Sequence, residues 1–159
     1  MEEEPWYSNV VLPALLRHAR TTYGKAMRAA LDEAGYDDIP ANGLYIIGGL
    51  ALGVGGVPIR QLMRELRITK QGAGQLVDTL VARGYLTRTP DEEDRRQLII
   101  TLTDRGLAAA QVQAAARDQI DAALLDRVGA EDVAAARRAL AALIDIRREA
   151  DAAELADAH

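Results

Sequence analysis

Two short amphipathic segments joined by a tight turn constrain the fold of this chain more than any other feature of its sequence. Pro58 suits the first position of a short helix, and apolar residues follow it at helical spacing. Thr69 is a suitable N-cap for a second helix, which Gly84 would end. This second helix would bury one apolar stripe, formed by Ala73, Leu76, Val77, Leu80 and Val81. Together the two helices predict a helix-turn-helix.

A polar hairpin is predicted after the second helix. Residues 86–89 and 98–102 are short segments rich in Thr, Ile and Leu, and they predict two strands. The loop between them, residues 90–96, reads Pro-Asp-Glu-Glu-Asp-Arg-Arg and is polar throughout. A helix-turn-helix followed by such a hairpin is the pattern of a winged helix.

Helical segments flank this region on both sides. From residue 12 to 34 the apolar residues recur at helical spacing, and Gly35 would end the helix. Residues 37–40 have the composition of a second helix start. Twenty alanines lie between Leu107 and Ala158, where Gly129 would separate two helices. The expected fold is mostly α (α+β), a winged helix-turn-helix with a small β-hairpin wing and helical flanks.

These elements predict one intertwined domain with three parts. Residues 1–56 would supply N-terminal helices for dimerisation and support, residues 57–106 the winged helix-turn-helix, and residues 107–159 the C-terminal dimerisation helices. Neither flank has enough bulky side chains to make a core of its own. A homodimer built from helices at the two chain ends would bury these faces.

The composition argues against several classes of protein. The chain has no cysteine and two histidines, which excludes a disulfide or thiolate zinc site and makes a His-rich metal site unexpected. We expect no cofactor and no enzyme activity, since the sequence also lacks a phosphate-cradling Gly-Lys motif. The acidic segment Met1-Glu2-Glu3-Glu4-Pro5 and the absence of a long apolar run favour a cytoplasmic protein without a membrane partner.

Positive charge is concentrated in one segment of this acidic chain. The net charge is −5, yet residues 59–88 hold six Lys and Arg against two Asp and Glu, a local charge of +4 that leaves −9 elsewhere. A basic segment in an acidic protein can still create the local potential to which phosphates respond. Charge clusters of this size are also common on ordinary solvated surfaces.

Three segments resemble the MarR (multiple antibiotic resistance regulator) family. Residues 68–80 resemble its recognition helix, and residues 83–88 resemble the exit from that helix into the first wing strand. Residues 91–96, followed by Leu-Thr-Asp-Arg-Gly at residues 102–106, resemble the wing tip and the return to helix. The order of elements matches over nearly the whole chain, while the specific motifs lie within residues 57–106.

The resemblance implies a homodimeric transcriptional regulator that binds double-stranded DNA with a palindromic operator, usually a repressor released by a small ligand. Gln71, Gln75 and Asp78 point away from the buried stripe, and Gln can contact adenine in the major groove. Other polar residues of the region would bind phosphates and fix the register. The expected DNA contacts are Arg60, Thr69, Lys70, Gln71, Gly72, Gln75, Arg88, Asp94, Arg95 and Arg96.

In the wing, the resemblance implies that Arg96 enters the minor groove while Asp94 holds its guanidinium group. A planar, weakly hydrated cation suits a narrow minor groove. The role of Arg95 is less defined, and the alternative for the whole loop is an ordinary solvated turn of acidic and basic residues. Gly72 and Gly74 also have two interpretations: tolerated weak helix propensity, or a close approach of the helix backbone to DNA.

Aromatic side chains near the N-terminus suggest a ligand crevice of the kind the family often has. A small aromatic or phenolic ligand would contact Trp6, His18, Tyr23 and Tyr45, with Tyr36 as a further candidate. The same side chains could instead belong to the core or to a dimer interface. Two alternative functions stay open, a winged-helix protein-interaction module without DNA binding and a small helical enzyme. The first has no need of paired arginines at the wing tip.

Overall fold

The computed structural model of the chain describes residues 4–52, 57–58, 64 and 69–157. The chain divides into two units, Met1–Asp118 and Gln119–His159. In chain order the elements are a 3-10 helix Trp6–Asn9, α1 Leu12–Glu33, α2 Gly43–Leu52, β1 Val57–Pro58, α3 Lys70–Ala82, β2 Leu86–Pro90, β3 Leu98–Leu102, α4 Asp104–Val128 and α5 Ala130–Asp157. The predicted fold class, mostly helical with a small hairpin, is confirmed.

Helix α1 begins and ends where its sequence predicts. Pro13 lies in the first turn, where its missing N–H leaves no hydrogen bond unmade. Gly35 follows the last turn with a φ of +86°, a conformation that glycine adopts without strain. The backbone N–H of Tyr36 then donates to the Leu31 carbonyl at 2.8 Å, which closes the helix end.

Helix α2 begins at Gly43, so the helix start predicted at residues 37–40 is wrong. A residue before proline is disfavoured in the helical region, and Ile39 stands before Pro40. Contacts with other parts of the unit hold this segment instead, since the Asp38 carboxylate binds the side chains of Tyr85 and Arg105. Once past Pro40 the chain turns, and the Gly43 N–H donates to the Pro40 carbonyl at 2.8 Å.

A three-stranded antiparallel sheet has the order β1-β3-β2. Strands β2 and β3 form the predicted hairpin, with Leu86 opposite Leu102 and Pro90 opposite Leu98. Strand β1 corrects the expectation that Pro58 begins a helix, since Pro58 pairs with Ile99 in this strand. Proline is tolerated on an edge strand because it has no N–H to donate to the ladder. The rest of that predicted helix lies outside the described residues, except Arg64, which is helical and exposed.

The core of the first unit lies among α1, α2, α3, the sheet and the first half of α4. Its largest fully buried side chains are Tyr85, Leu31, Ile46, Ile47, Leu80, Leu86, Ile100 and Val77. Since the chain has no Phe and one Trp, this core depends on aliphatic side chains and one tyrosine. The alanines Ala109 and Ala110 bring α4 close against it.

The second unit consists of the end of α4 and the whole of α5. Gly129 separates the two helices with a φ of +85°, as the sequence predicts. No described residue of α5 is buried. Large apolar side chains are exposed on both segments, namely Leu124, Leu125, Val128, Leu140, Leu143, Ile144, Ile146 and Leu155. Among the described residues, no helix is long and apolar enough to cross a membrane.

Candidate nucleic-acid interface

Helix α3 presents a polar face opposite its buried stripe. Ala73, Val77 and Leu80 are buried on one side, while Leu76 and Val81 are half-buried beside them. The polar positions that the sequence predicts to face outwards, Gln71, Gln75 and Asp78, are all exposed. A polar face on a helix that is anchored from behind is suited to entering a groove.

Thr69 caps the N-terminus of α3, as predicted. Its Oγ1 accepts a hydrogen bond from the Gly72 N–H at 3.0 Å, which satisfies one of the free donors of the first turn. Lys70 follows it and is exposed. The positive end of the helix dipole and a lysine therefore lie at the same end of α3.

The two glycines of α3 have different surroundings. A Cβ atom at Gly72 would lie 3.1 Å from the capping Oγ1 of Thr69. At Gly74 it would meet no atom of the described part of the chain within 4 Å. Gly72 is therefore linked to the cap, whereas no contact among the described residues explains the glycine at 74.

The wing tip has the contact that the family resemblance implies. Both the backbone N–H and the Nε of Arg96 donate to Asp94 Oδ1, each at 3.2 Å. The side chain of Arg96 nevertheless stays 93% exposed. The loop is closed by backbone hydrogen bonds from Gln97 to Asp94 and from Asp91 to Gln97, at 2.8 and 2.9 Å. The aspartate thus fixes the base of the arginine and leaves the rest of its guanidinium group available, while Arg95 is exposed beside it.

Arg88 forms an ion pair that the sequence alone does not predict. Its Nη1 lies 2.6 Å from Asp78 Oδ1, which joins strand β2 to the outer face of α3. The carboxylate offsets the charge of Arg88, so the arginine also fixes the hairpin against the helix. No local pattern signals this pair, because the residues belong to different elements. Arg60, also expected to contact DNA, lies outside the described residues.

A polar cluster around Tyr85 supports the exit from α3. The Tyr85 hydroxyl donates to Asp38 Oδ1, and Arg105 Nη2 lies 3.0 Å from that hydroxyl and 3.4 Å from the same carboxylate oxygen. Arg83 donates to the Asp38 backbone carbonyl. The cluster joins the α1–α2 connection, the end of α3 and the start of α4, three segments far apart in sequence.

The protonation states of this cluster follow from its contacts. Burial, reinforced by the hydrogen bond to Asp38, raises the pKa of Tyr85 to about 12. The hydrogen bond from Tyr85 and the charge of Arg105 hold the pKa of Asp38 below its ordinary value. The tyrosine is therefore a neutral donor and the aspartate a charged acceptor at neutral pH.

Asp38→Asn is expected to destabilise the protein near neutral pH and to have a much smaller effect in acid. A carboxyl group with a lowered folded-state pKa stabilises the fold above its unfolded-state pKa, and this contribution is lost as the pH falls through the folded-state value. Urea unfolding of both proteins, near neutral pH and below about pH 3, measures the difference. A difference of the same size at both pH values would contradict the assignment of Asp38 as a charged acceptor.

The residues predicted to line a ligand crevice fall into separate groups. The rings of Trp6 and His18 meet edge to face, with 5.2 Å between their centroids. Tyr45 instead contacts Arg20, whose Nε donates to its hydroxyl at 2.9 Å. Tyr23 is half-buried on α1. Their joint role in one crevice stays a prediction.

Comparison with known proteins agrees with the motifs. The sequence profile of the MarR family matches residues 38–97. An HTH-type transcriptional regulator of Bacillus subtilis (strain 168), YwhA, is 28% identical over 118 residues, which are 74% of this chain and 84% of that protein.

Solved structures share the fold. FabT of Streptococcus pneumoniae, in complex with DNA, superposes with a TM-score of 0.73 at 19% identity, over 87% of this chain and 96% of FabT. NadR in complex with 4-hydroxyphenylacetate gives a TM-score of 0.69 at 21% identity, over 88% of this chain and 96% of NadR. The family profile, the relative and the shared winged-helix fold confirm the predicted resemblance of this chain to the MarR family.

Proposed function

We propose that this protein is a sequence-specific transcriptional regulator that binds double-stranded DNA. The observation that carries the proposal is the wing tip, where Asp94 holds the base of an almost fully exposed Arg96. An arginine that is held in place at the end of a hairpin and is almost fully exposed contributes little to the packing of the protein. It is suited to a narrow, electronegative minor groove. The DNA complex of the similar structure FabT supports the same reading.

In this proposal α3 enters the major groove while the wing reads the adjacent minor groove. Gln71 and Gln75 contact base edges, because their amides can pair with adenine. Lys70 and the N-terminal turn of α3 bind phosphates, which fix the register without reading sequence. A DNA-binding regulator acts at the chromosome, so the cytoplasmic localisation expected from the sequence is part of the proposal, and no catalytic step is assigned.

Fluorescence anisotropy with labelled duplexes over a range of salt concentrations tests this function. We expect binding that weakens with a linear dependence of log K on log salt, because phosphate contacts release counterions. The alternative, a winged-helix module that binds another protein, predicts no measurable affinity for any duplex at low salt. The absence of measurable binding to any duplex would contradict the proposed function.

The proposed DNA-binding form is a two-fold dimer that associates through the terminal helices. The support is the set of apolar side chains exposed on the last two helices, which include Leu140, Leu143 and Ile144 at one-helix-face spacing. Because the largest apolar patches of monomeric proteins are limited in size, exposed apolar faces of this kind favour an interface. Two-fold symmetry would place the recognition helices about 34 Å apart, one turn of DNA.

Light scattering at micromolar protein is expected to give twice the 17.2 kDa mass of the chain. The reason is the apolar surface of the second unit, which a partner subunit would remove from water. As a control, Leu143→Glu with Ile144→Lys should lower the apparent mass, because both side chains are exposed in the single chain. A monomeric mass for the unaltered protein would contradict the dimer.

Release by a small phenolic acid is the regulatory part of the proposal. A cavity of about 230 Å³ lies among α1, α2 and α4, lined by side chains that include Met27, Gly48 and Gln113. The Gln113 amide is buried: its Nε2 donates to the Leu44 carbonyl at 3.0 Å, while its Oε1 has no hydrogen-bond partner among the residues that the structure describes. A buried acceptor without a donor is costly, and a phenol hydroxyl would satisfy it. Cavities of about 150 Å³ bind benzene, so one aromatic ring fits.

4-Hydroxyphenylacetate, the ligand in the NadR structure, is expected to raise the melting temperature of this protein and to weaken its DNA binding. Phenylacetate, which lacks the hydroxyl, serves as the matched control and should act more weakly. Gln113→Leu should remove the difference between the two compounds. If neither compound changes melting temperature or DNA affinity, ligand release by phenolic acids is excluded for this protein, while its DNA binding is unaffected.

A further inference from the structure

A basic cleft lies between α1 and the segment that leads into α2, within the first unit. Its volume is about 590 Å³. Among the described residues, the cations that line it are Arg17, Arg20, Lys25 and Arg28, against the single carboxylate of Asp32. The cleft shares no lining residue with the cavity beside Gln113.

The cations of this cleft are poorly neutralised by the protein. Arg28 lies 3.9 Å from Asp32. Among the residues that the structure describes, Arg17, Arg20 and Lys25 have no carboxylate within ion-pair distance. Three unpaired cations on one helix face repel one another, and this occurs in a chain whose net charge is −5. An anion in the cleft would relieve the repulsion.

Two of the arginines are oriented by neutral groups. The Nε of Arg20 donates to the Tyr45 hydroxyl at 2.9 Å, and its guanidinium carbon lies 4.4 Å from the centre of the Tyr45 ring. Arg28 Nη2 donates to the Pro40 carbonyl at 3.4 Å. Neither contact cancels charge, so each positions a guanidinium group that keeps further donors for a ligand.

The rest of the lining is small and apolar. Gly24, Ala29 and Ala41 leave space between the helices, and Leu44 and Tyr45 offer a larger apolar surface. A ligand for this cleft therefore has two parts, an anionic head that meets the cations and an organic body that covers Leu44 and the tyrosine ring.

We propose that this cleft binds an organic phosphate, with its phosphoryl group between the arginines of α1 and its organic body against Leu44 and Tyr45. A carboxylate carries one charge, whereas a phosphate monoester carries about −1.5 to −2 at neutral pH and offers three acceptor oxygens. Several unpaired cations around one cleft therefore match a phosphate monoester better than a carboxylate. The binding does not depend on the proposed DNA binding and is measured without DNA.

Isothermal titration calorimetry of the full chain tests the site with three probes: phenyl phosphate, benzoate and inorganic phosphate. We expect phenyl phosphate to bind most tightly, because it alone combines the multiple charge with the aromatic body. Arg20→Gln should weaken phenyl phosphate by about tenfold, the loss of one charge-assisted contact. Arg137→Gln removes the same charge from an exposed position of α5 and should leave the affinity unchanged.

Several results would overturn the proposal. Equal affinity for benzoate and phenyl phosphate would show a simple carboxylate site, and equal effects of the two Arg→Gln changes would show general charge attraction. If Arg20→Gln lowers duplex affinity tenfold without any phenyl phosphate binding in the parent protein, the cleft is a DNA-backbone surface. If Arg20→Gln instead changes the mass measured by light scattering, the cleft is an interface with a second copy of the chain. Unchanged thermal stability of Arg20→Gln confirms that the variant is folded.

Discussion

Gly106→Ala is expected to destabilise the protein by about 3 kcal/mol or more, one of the largest effects available to a single methyl group. Gly106 is buried at the start of α4, where the chain leaves the sheet. A Cβ atom there would lie well under 3.0 Å from the Tyr85 carbonyl oxygen and 3.0 Å from Leu102 Cδ2. The Tyr85 carbonyl cannot move aside easily, because it accepts a hydrogen bond from the Thr103 N–H at 3.0 Å.

Urea or thermal unfolding measures this effect, and Gly74→Ala is the matched control. A methyl group at Gly74 meets none of the described residues within 4 Å, and alanine is the better helix former by about 1 kcal/mol. The control should therefore be more stable than the parent protein. A Gly106→Ala protein as stable as the parent would show that the close approach of α4 to Tyr85 is not as described.

The same control separates the two interpretations of the glycine in α3. If Gly74→Ala is more stable and binds DNA as well as the parent, the glycine is only tolerated. If it is more stable but binds DNA more weakly, the helix backbone approaches the DNA closely at this position.

Arg96→Ala is expected to lower the affinity for most duplexes, whatever their sequence. A minor-groove arginine contributes charge and recognition of groove width more than base identity. The slope of log K against log salt should also fall by about one unit, since about one fewer counterion is released. Anisotropy titrations over a salt series measure both quantities.

The direction in which Asp94→Asn changes DNA affinity separates two explanations of the wing tip. Removing a negative charge from a DNA-binding loop should strengthen binding if only overall electrostatics matter. We expect weaker binding, because Asp94 Oδ1 accepts hydrogen bonds from the backbone N–H and the Nε–H of Arg96 and so orients that side chain. Tighter binding by Asp94→Asn together with a silent Arg96→Ala would mean that the wing tip is an ordinary solvated turn.

Gln75→Ala is the counterpart on the recognition helix in the same series of titrations. It should cost about 1–3 kcal/mol on the preferred operator and little on random DNA, because a base contact is lost and a phosphate contact is not. An equal loss of affinity for the operator and for random DNA would mean that Gln75 contacts the DNA backbone.

Features that depend on local chemistry were predictable from the sequence. Thr69 caps α3, and Gly35, Gly84 and Gly129 follow helix ends with positive φ, because these preferences belong to single residues and their neighbours. The hairpin was predictable for the same reason, since its strands and polar loop are continuous in sequence. The contact between Asp94 and Arg96 spans only two residues and came from the family resemblance.

Features that depend on distant segments were not predictable. The Asp38 carboxylate meets Tyr85 and Arg105, which follow it by 47 and 67 residues. The pair Arg88–Asp78 likewise joins a strand to a helix. Strand β1 was missed because Pro58 suits a helix start and an edge strand equally, and only the pairing with β3 decides between them. The basic cleft depends on how α1 packs near α2, which the periodicity of α1 alone does not reveal.

Selection of bound fragments from random duplex DNA tests the central claim most directly. Sequence-specific binding by a two-fold dimer predicts an enriched palindromic consensus, with half-sites centred about one helical turn, roughly 10 base pairs, apart. Enrichment should be lost with Arg96→Ala together with Gln75→Ala. Recovery of fragments with no shared sequence, or of none above background at low salt, would contradict the assignment of this protein as a sequence-specific DNA-binding regulator.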